Sequence, residues 1–116
     1  MKILGLCAAI ATCTLPSTVL AADWKPLQGQ YAITAQSLDP AENEPFDTHF
    51  RIQLTGVTAK ELYESMKVPD TKDECTGAAR RVVGQMRCLR FEKSKRYECD
   101  FSFNVMKQRI EYGVSC

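Results

Sequence analysis

Histidine is nearly absent from this chain of 116 residues: His49 is the only one, and Trp24 is the only tryptophan. A Ser-His-Asp or Cys-His nucleophile system would have to be built on His49. No Gly-x-Ser-x-Gly elbow accompanies it. The close Cys-x-x-Cys pairs of a structural zinc site are missing too: Cys75, Cys88, Cys99 and Cys116 are separated by 13, 11 and 17 positions. There is no glycine-rich phosphate loop, no Asn-x-Ser/Thr acceptor, no internal repeat and no low-complexity segment. These absences argue against a metal, a bound cofactor and nucleophilic catalysis.

The N-terminus carries a different kind of signal. Lys2 is the only charge before Asp23, residues 3–15 are apolar apart from Thr12, Cys13 and Thr14, and Pro16 follows. Val19-Leu20-Ala21 supplies the small residues that a signal peptidase reads. Residues 1–21 are therefore expected to be a cleaved export signal, with the mature chain starting at Ala22. The apolar run is too short to span a bilayer, so no stable membrane insertion of the mature chain is expected. A lipoprotein cut before Cys13 is disfavoured by Thr12 at the preceding position. Residues 22–116 form one small domain, expected in the periplasm or secreted.

Cys7 and Cys13 leave with the signal, and four cysteines remain. An even number in a small exported domain points to two disulfides. A domain of this size buries a modest share of its surface and often needs such staples.

Hydrophobic periodicity gives the elements. Residues 28–38 alternate, with Tyr31, Ile33 and Ala35 against Gln30, Thr34 and Gln36; residues 49–54 alternate again, with Phe50, Ile52 and Leu54 on one face. Both read as half-buried strands joined through the acidic loop 39–47, whose Asp39, Glu42, Glu44 and Asp47 do not match a calcium-loop spacing. Thr58-Ala59-Lys60-Glu61 reads as a capping box opening a helix over 59–66, with Leu62, Tyr63 and Met66 as its apolar stripe. Val68-Pro69 ends it. Strands follow at 80–83, 86–91, 97–105 and 110–115, with Gly84 as a break or bulge and 92–96 as a charged turn. Tyr63, Met66 and Trp24 are expected in the core. The fold class is α+β: a small antiparallel sheet of five or six strands, in the order β-β-α-β-β-β, with one short helix packed on it.

The last hairpin suggests a disulfide pairing. Folded at residues 106–109, it sets Val105 against Ile110, Phe103 against Tyr112, Phe101 against Val114 and Cys99 against Cys116. If Phe91 then pairs with Tyr97, Cys88 faces away from Cys99 and is left for Cys75. A slip of one residue reverses this, giving Cys88–Cys99 with Cys75–Cys116. Both pairings stand at the level of sequence, the first favoured.

Charge divides along the chain. Residues 22–74 hold ten acids and five bases, whereas residues 75–116 hold nine bases and four acids. Arg80, Arg81, Arg87, Arg90, Lys93, Lys95 and Arg96 form a basic strip on the last strands. Its reading as a solvated face competes with one as a docking surface for a protein partner; export argues against nucleic acid. The function expected is an exported, non-catalytic binding module of the cell envelope, inhibitor- or immunity-like, that meets a protein through this charged face. The alternatives are a small secreted hydrolase using His49 with a carboxylate such as Asp47 or Glu44, and a structural envelope factor.

Overall fold

The structure is a computed structural model that describes Gly5, residues 10–12 and residues 22–113. Most of the expected export signal and Cys116 thus lie outside the described residues. The chain forms β1 (Gly29–Thr34), β2 (His49–Thr55), α1 (Gly56–Ser65), β3 (Thr71–Lys72), β4 (Ala79–Val83), β5 (Met86–Phe91), β6 (Arg96–Asn104) and β7 (Arg109–Glu111). The expected α+β class holds, with seven strands in place of five or six. The additional strand is β3, two residues inside a stretch read as loop and too short to carry an alternation. All strand pairs are antiparallel, in the order β1-β2-β6-β5-β4-β3. β7 pairs with the far end of β6, beyond β5.

The helix begins three residues before the expected start, directly after β2. Its N-cap position is Thr55, which makes no side-chain cap hydrogen bond. The expected capping box does not form: Thr58 Oγ1 accepts the backbone N–H of Gln28, and Glu61 accepts from Lys25 Nζ. Gln28 supplies the cap from outside the helix, its Oε1 accepting the N–H of Val57 at 2.9 Å. Gly56 makes the corner between strand and helix with φ 55, a conformation that suits glycine. A Cβ there would lie 2.1 Å from Gln28 Oε1.

Tight turns fix the registers of the later strands. Gly84, with φ 60, opens a two-residue link between Val83 and Met86, so it is a turn residue and not a bulge. The β5–β6 and β6–β7 links are four residues long, and each ends on a residue in the left-handed region, Lys95 (φ 53) and Gln108 (φ 54). The sequence reading gave the first of these links five residues. That difference of one moves every pairing to the other face. Phe91 opposes Arg96 and not Tyr97, and Cys88 opposes Cys99 directly. The two are joined as a disulfide. The favoured pairing of Cys99 with Cys116 and Cys75 with Cys88 is thereby overturned, and the first half of its alternative is what forms. Cys75 is disulfide-bonded too. In the last hairpin Phe103 opposes Ile110 and not Tyr112. Asn104 Oδ1 holds that turn by accepting the N–H of Lys107.

α1 lies across one end of one sheet face. Its Ala59, Tyr63 and Met66 pack with Leu54, Cys88 and Cys99 into the core. Tyr63 and Met66 meet the expectation for them; Trp24 does not and is exposed. The helix C-terminus is closed by Arg81, whose Nη1 donates to the carbonyls of Tyr63 and Met66.

Candidate functional site: an inverted half-sheet

The strand registers sort side chains onto two faces. Ile33, Phe50, Phe103 and Ile110 form one row across β1, β2, β6 and β7; Tyr31, Ile52 and Phe101 form a second row beside it. Rings of Tyr31 and Phe50 lie 5.3 Å apart, and those of Phe101 and Phe103 meet edge to face at 5.7 Å. These rows share a face with Leu54 and Cys99, which α1 covers. The cover is partial: Ile52 and Phe101 are partly buried against the core, while Tyr31, Ile33, Phe103 and Ile110 are exposed. Of the apolar side expected for 28–38, Tyr31 and Ile33 are thus exposed, while Ala35, just past the end of β1, is buried.

The opposite face of β2 and β6 is polar and largely covered, whereas Gln30 and Ala32 of β1 stay exposed on that side. His49, Asp100, Ser102 and Asn104 are all buried there. Loop 35–48 and the C-terminal segment form the cover, tied down by Arg51. Its guanidinium donates to Thr34 Oγ1 and to the carbonyls of Gln36 and Gly113. Ser102 Oγ donates to the carbonyl of Tyr112 at 2.9 Å. Among the described residues no buried side-chain nitrogen or oxygen lacks a hydrogen-bond partner, which is what makes a polar interior tolerable.

His49 lies in the end row of this face, between Thr34 and Asn104. Glu111 Oε2 is 2.9 Å from its Nε2, and Thr48 Oγ1 is 2.8 Å from its Nδ1. The bond to His49, then those from Arg109 and Asn104, hold the Glu111 carboxyl well below its usual range, at about 2. An ionised carboxylate only accepts, so His49 Nε2 carries the hydrogen. Neither carboxylate expected beside His49 is bonded to it: Glu44 lines a cavity with His49 but accepts from the backbone and hydroxyl of Ser37, and Asp47 is exposed. The sequence reading missed Glu111. Its one signal was the alternation of Glu111 with Ile110 in the last strand. Next to this array opens a cleft of about 820 Å³, bounded by residues 36–38, His49 and Arg51, and residues 109–113.

The basic strip does not form one face. Strand alternation sends Arg81 and Arg90 to the helix side and Arg80 and Arg87 to the other. Arg81 and Arg90 both pair with Asp70, at 2.7 and 3.0 Å, and both lie over the ring of Tyr63. Tyr63 Oη donates to Asp70 at 2.6 Å. Burial and that bond push the Tyr63 hydroxyl up to about 12, and the Tyr63 and Arg81 bonds lower Asp70 to about 2. Arg87 pairs with Asp100 and lies 3.6 Å from the buried Asp73. Burial works to raise the Asp73 carboxyl, but the hydroxyl and amide of Thr76 and the nearby Arg87 and Arg80 bring it below its ordinary value. Arg96 pairs with Glu98. Among the described residues only Lys93 and Lys95 of the strip lack an ion pair, at the β5–β6 turn. Between the acidic and basic parts of the chain, Asp70 and Asp73 meet Arg80, Arg81, Arg87 and Arg90.

No group of three or more metal-ligating side chains occurs among the described residues, and no helix there is long and apolar enough to cross a membrane. No protein-family model, curated protein or solved structure matches the chain.

Proposed function

We propose that this chain is an exported, disulfide-stapled, non-catalytic binding module, and that its docking surface is the open apolar half of the sheet. The observation that carries this is the inversion described above: β2 and β6 bury polar side chains on one face, while Tyr31, Ile33, Phe103 and Ile110 stand exposed on the other. An uncovered apolar patch on a rigid scaffold is a common mark of an interaction site. The basic strip is the weaker candidate surface, because internal carboxylates engage five of its seven cations. In this reading residues 1–21 are removed on export, residues 22–116 are one domain, and a second bridge joins Cys75 to Cys116. An oxidising compartment fits the Cys88–Cys99 bridge. The test is recovery of bound protein from an envelope extract with tagged wild type, Ile33→Asp, and a Lys93→Glu/Lys95→Glu double variant. Binding lost only in Ile33→Asp is the expected result; binding lost only in the lysine variant, or by neither, refutes the assignment of the surface.

A second reading has one observation in its favour. Glu111, His49 and Thr48 stand in line as carboxylate, imidazole and hydroxyl beside an open cleft, the order a nucleophilic hydrolase uses. Against it, His49 is almost fully buried, and the N–H of Thr48 is taken by the carbonyl of Thr34, leaving it unable to serve as an oxyanion donor. Hydrolysis of ester or peptide substrates that disappears in His49→Ala would establish this reading in place of the first.

A further inference from the structure

We infer that the occupant of the open half-sheet is a second copy of this chain, packed face to face about a two-fold axis. This rests on the reading of that surface as the docking site and names its partner.

The argument starts from layers. A sheet face needs a second layer, and here α1 supplies it over the Leu54–Cys99–Cys88 end only. The uncovered part is two rows deep and up to four strands wide. A partner sheet would sit about 10 Å above it, beside α1 and within the layer α1 begins.

Area supports a dimer. Tyr31 is 70 % exposed, Ile33 62 %, Ile110 47 % and Phe103 36 %, with Phe50, Ile52 and Phe101 half-buried behind them. At roughly 150–250 Å² for a large side chain, the patch offers on the order of 500 Å² of apolar surface. A stable interface buries about 800 Å² per partner, and a homodimer interface is about 65 % apolar, which asks for nearly the same amount. The remainder would come from the flank of α1 and the edge strand β1.

Charge supports a like partner. None of the seven patch residues is an Asp, Glu, Lys, Arg or His, so two identical copies can meet there without setting like charges together. An isologous contact also needs a surface complementary to itself, and opposed rows of aromatic and branched side chains interdigitate as two sheets of a sandwich do. A distinct partner would more usually be selected by charge or hydrogen bonds at the surface, and this patch provides almost none.

The test is sedimentation of the purified, oxidised chain over a wide concentration series, with Tyr31→Asp and Ile33→Asp as variants. Both side chains are exposed in the single copy, so either change leaves its folding, followed by circular dichroism, intact. A wild-type dimer that becomes monomeric in both variants is the expected outcome. A dimer that persists in both places the interface elsewhere and overturns the inference. A wild type that is monomeric throughout overturns it as well, and an apolar dye then separates the two levels. Dye bound by wild type and lost in Ile33→Asp leaves the face as a docking surface for a different protein. No dye binding removes that surface reading too.

Discussion

Ser102 and Phe103 are adjacent in β6, and the polar one is inside: Ser102 is fully buried and donates to the carbonyl of Tyr112, while Phe103 lies in the uncovered row opposite Ile110. Apolar burial drives folding, yet this half of the sheet is closed over its polar side. The closure works because Arg51, His49, Ser102 and Asn104 bond groups of the covering segments or of β7, so that each side chain is satisfied.

Removing such a bond should cost more than removing apolar surface from the open face. Ser102→Val removes the donor to the Tyr112 carbonyl from a fully buried position and should lower stability by about 1–3 kcal/mol. Ile33→Ser should change the stability of the single copy by about 0.5 kcal/mol or less. Urea unfolding of both variants, at concentrations where any dimer has dissociated, gives the comparison.

The bridge between β5 and β6 is predicted to survive peptide mapping. A digest under non-reducing conditions should yield one linked pair containing Cys88 and Cys99 and no peptide joining Cys99 to Cys116. The Cys88→Ala/Cys99→Ala double variant should lose about 2–4 kcal/mol in denaturant unfolding, since α1 packs directly over the bridge.

How much of this was legible in the sequence follows from what alternation can encode. The pattern Phe50, Ile52, Leu54 against His49, Arg51, Gln53 marks β2 correctly and places its apolar residues on one face. It cannot say which part of that face will be covered, because cover comes from elements distant in the chain. Leu54 is buried by α1, and Phe50, on the same face, is not. Register failed at the charged turn for a different reason: the residues at 92–96 allow a four- or a five-residue link, and the left-handed conformation of Lys95 selects the shorter. Glu111 was illegible as a site residue because its relation to His49 spans 62 positions and depends on a β7 register that was misplaced by two. The basic strip reads as continuous along the sequence, but strand alternation divides its consecutive cations between faces.

Acid should weaken the fold. Glu111 and Asp70 are each held at about 2, and Asp73 is lowered as well. A carboxyl whose folded value lies below its unfolded value of about 4 stabilises fully above that value and loses its contribution as protons bind. Stability should therefore decline as pH falls from about 4.5 toward 2. In Glu111→Gln the fall should be shallower, because one of the three groups no longer titrates. Thermal unfolding across this range is the measurement; an unchanged slope in the variant would contradict the His49–Glu111 arrangement.

Arg81 should not be replaceable by lysine. It lies 4.5 Å above the Tyr63 ring, donates to Asp70 and closes the last turn of α1 through two carbonyls. A lysine has one donor head and no planar surface to stack. Arg81→Lys should lower stability, read by urea unfolding, with protection of α1 amides against hydrogen exchange falling first.

The inversion of the half-sheet is tested most directly by solution NMR with a soluble nitroxide, recorded on methyl groups at concentrations low enough to hold the chain as a single copy. The methyls of Ile33 and Ile110 should be strongly broadened, Ile52 less so, and those of Ala35 and Ala59 should be untouched. Equal protection of Ile33, Ile110 and Ala59 would mean that the apolar side is the buried one, and would contradict the account.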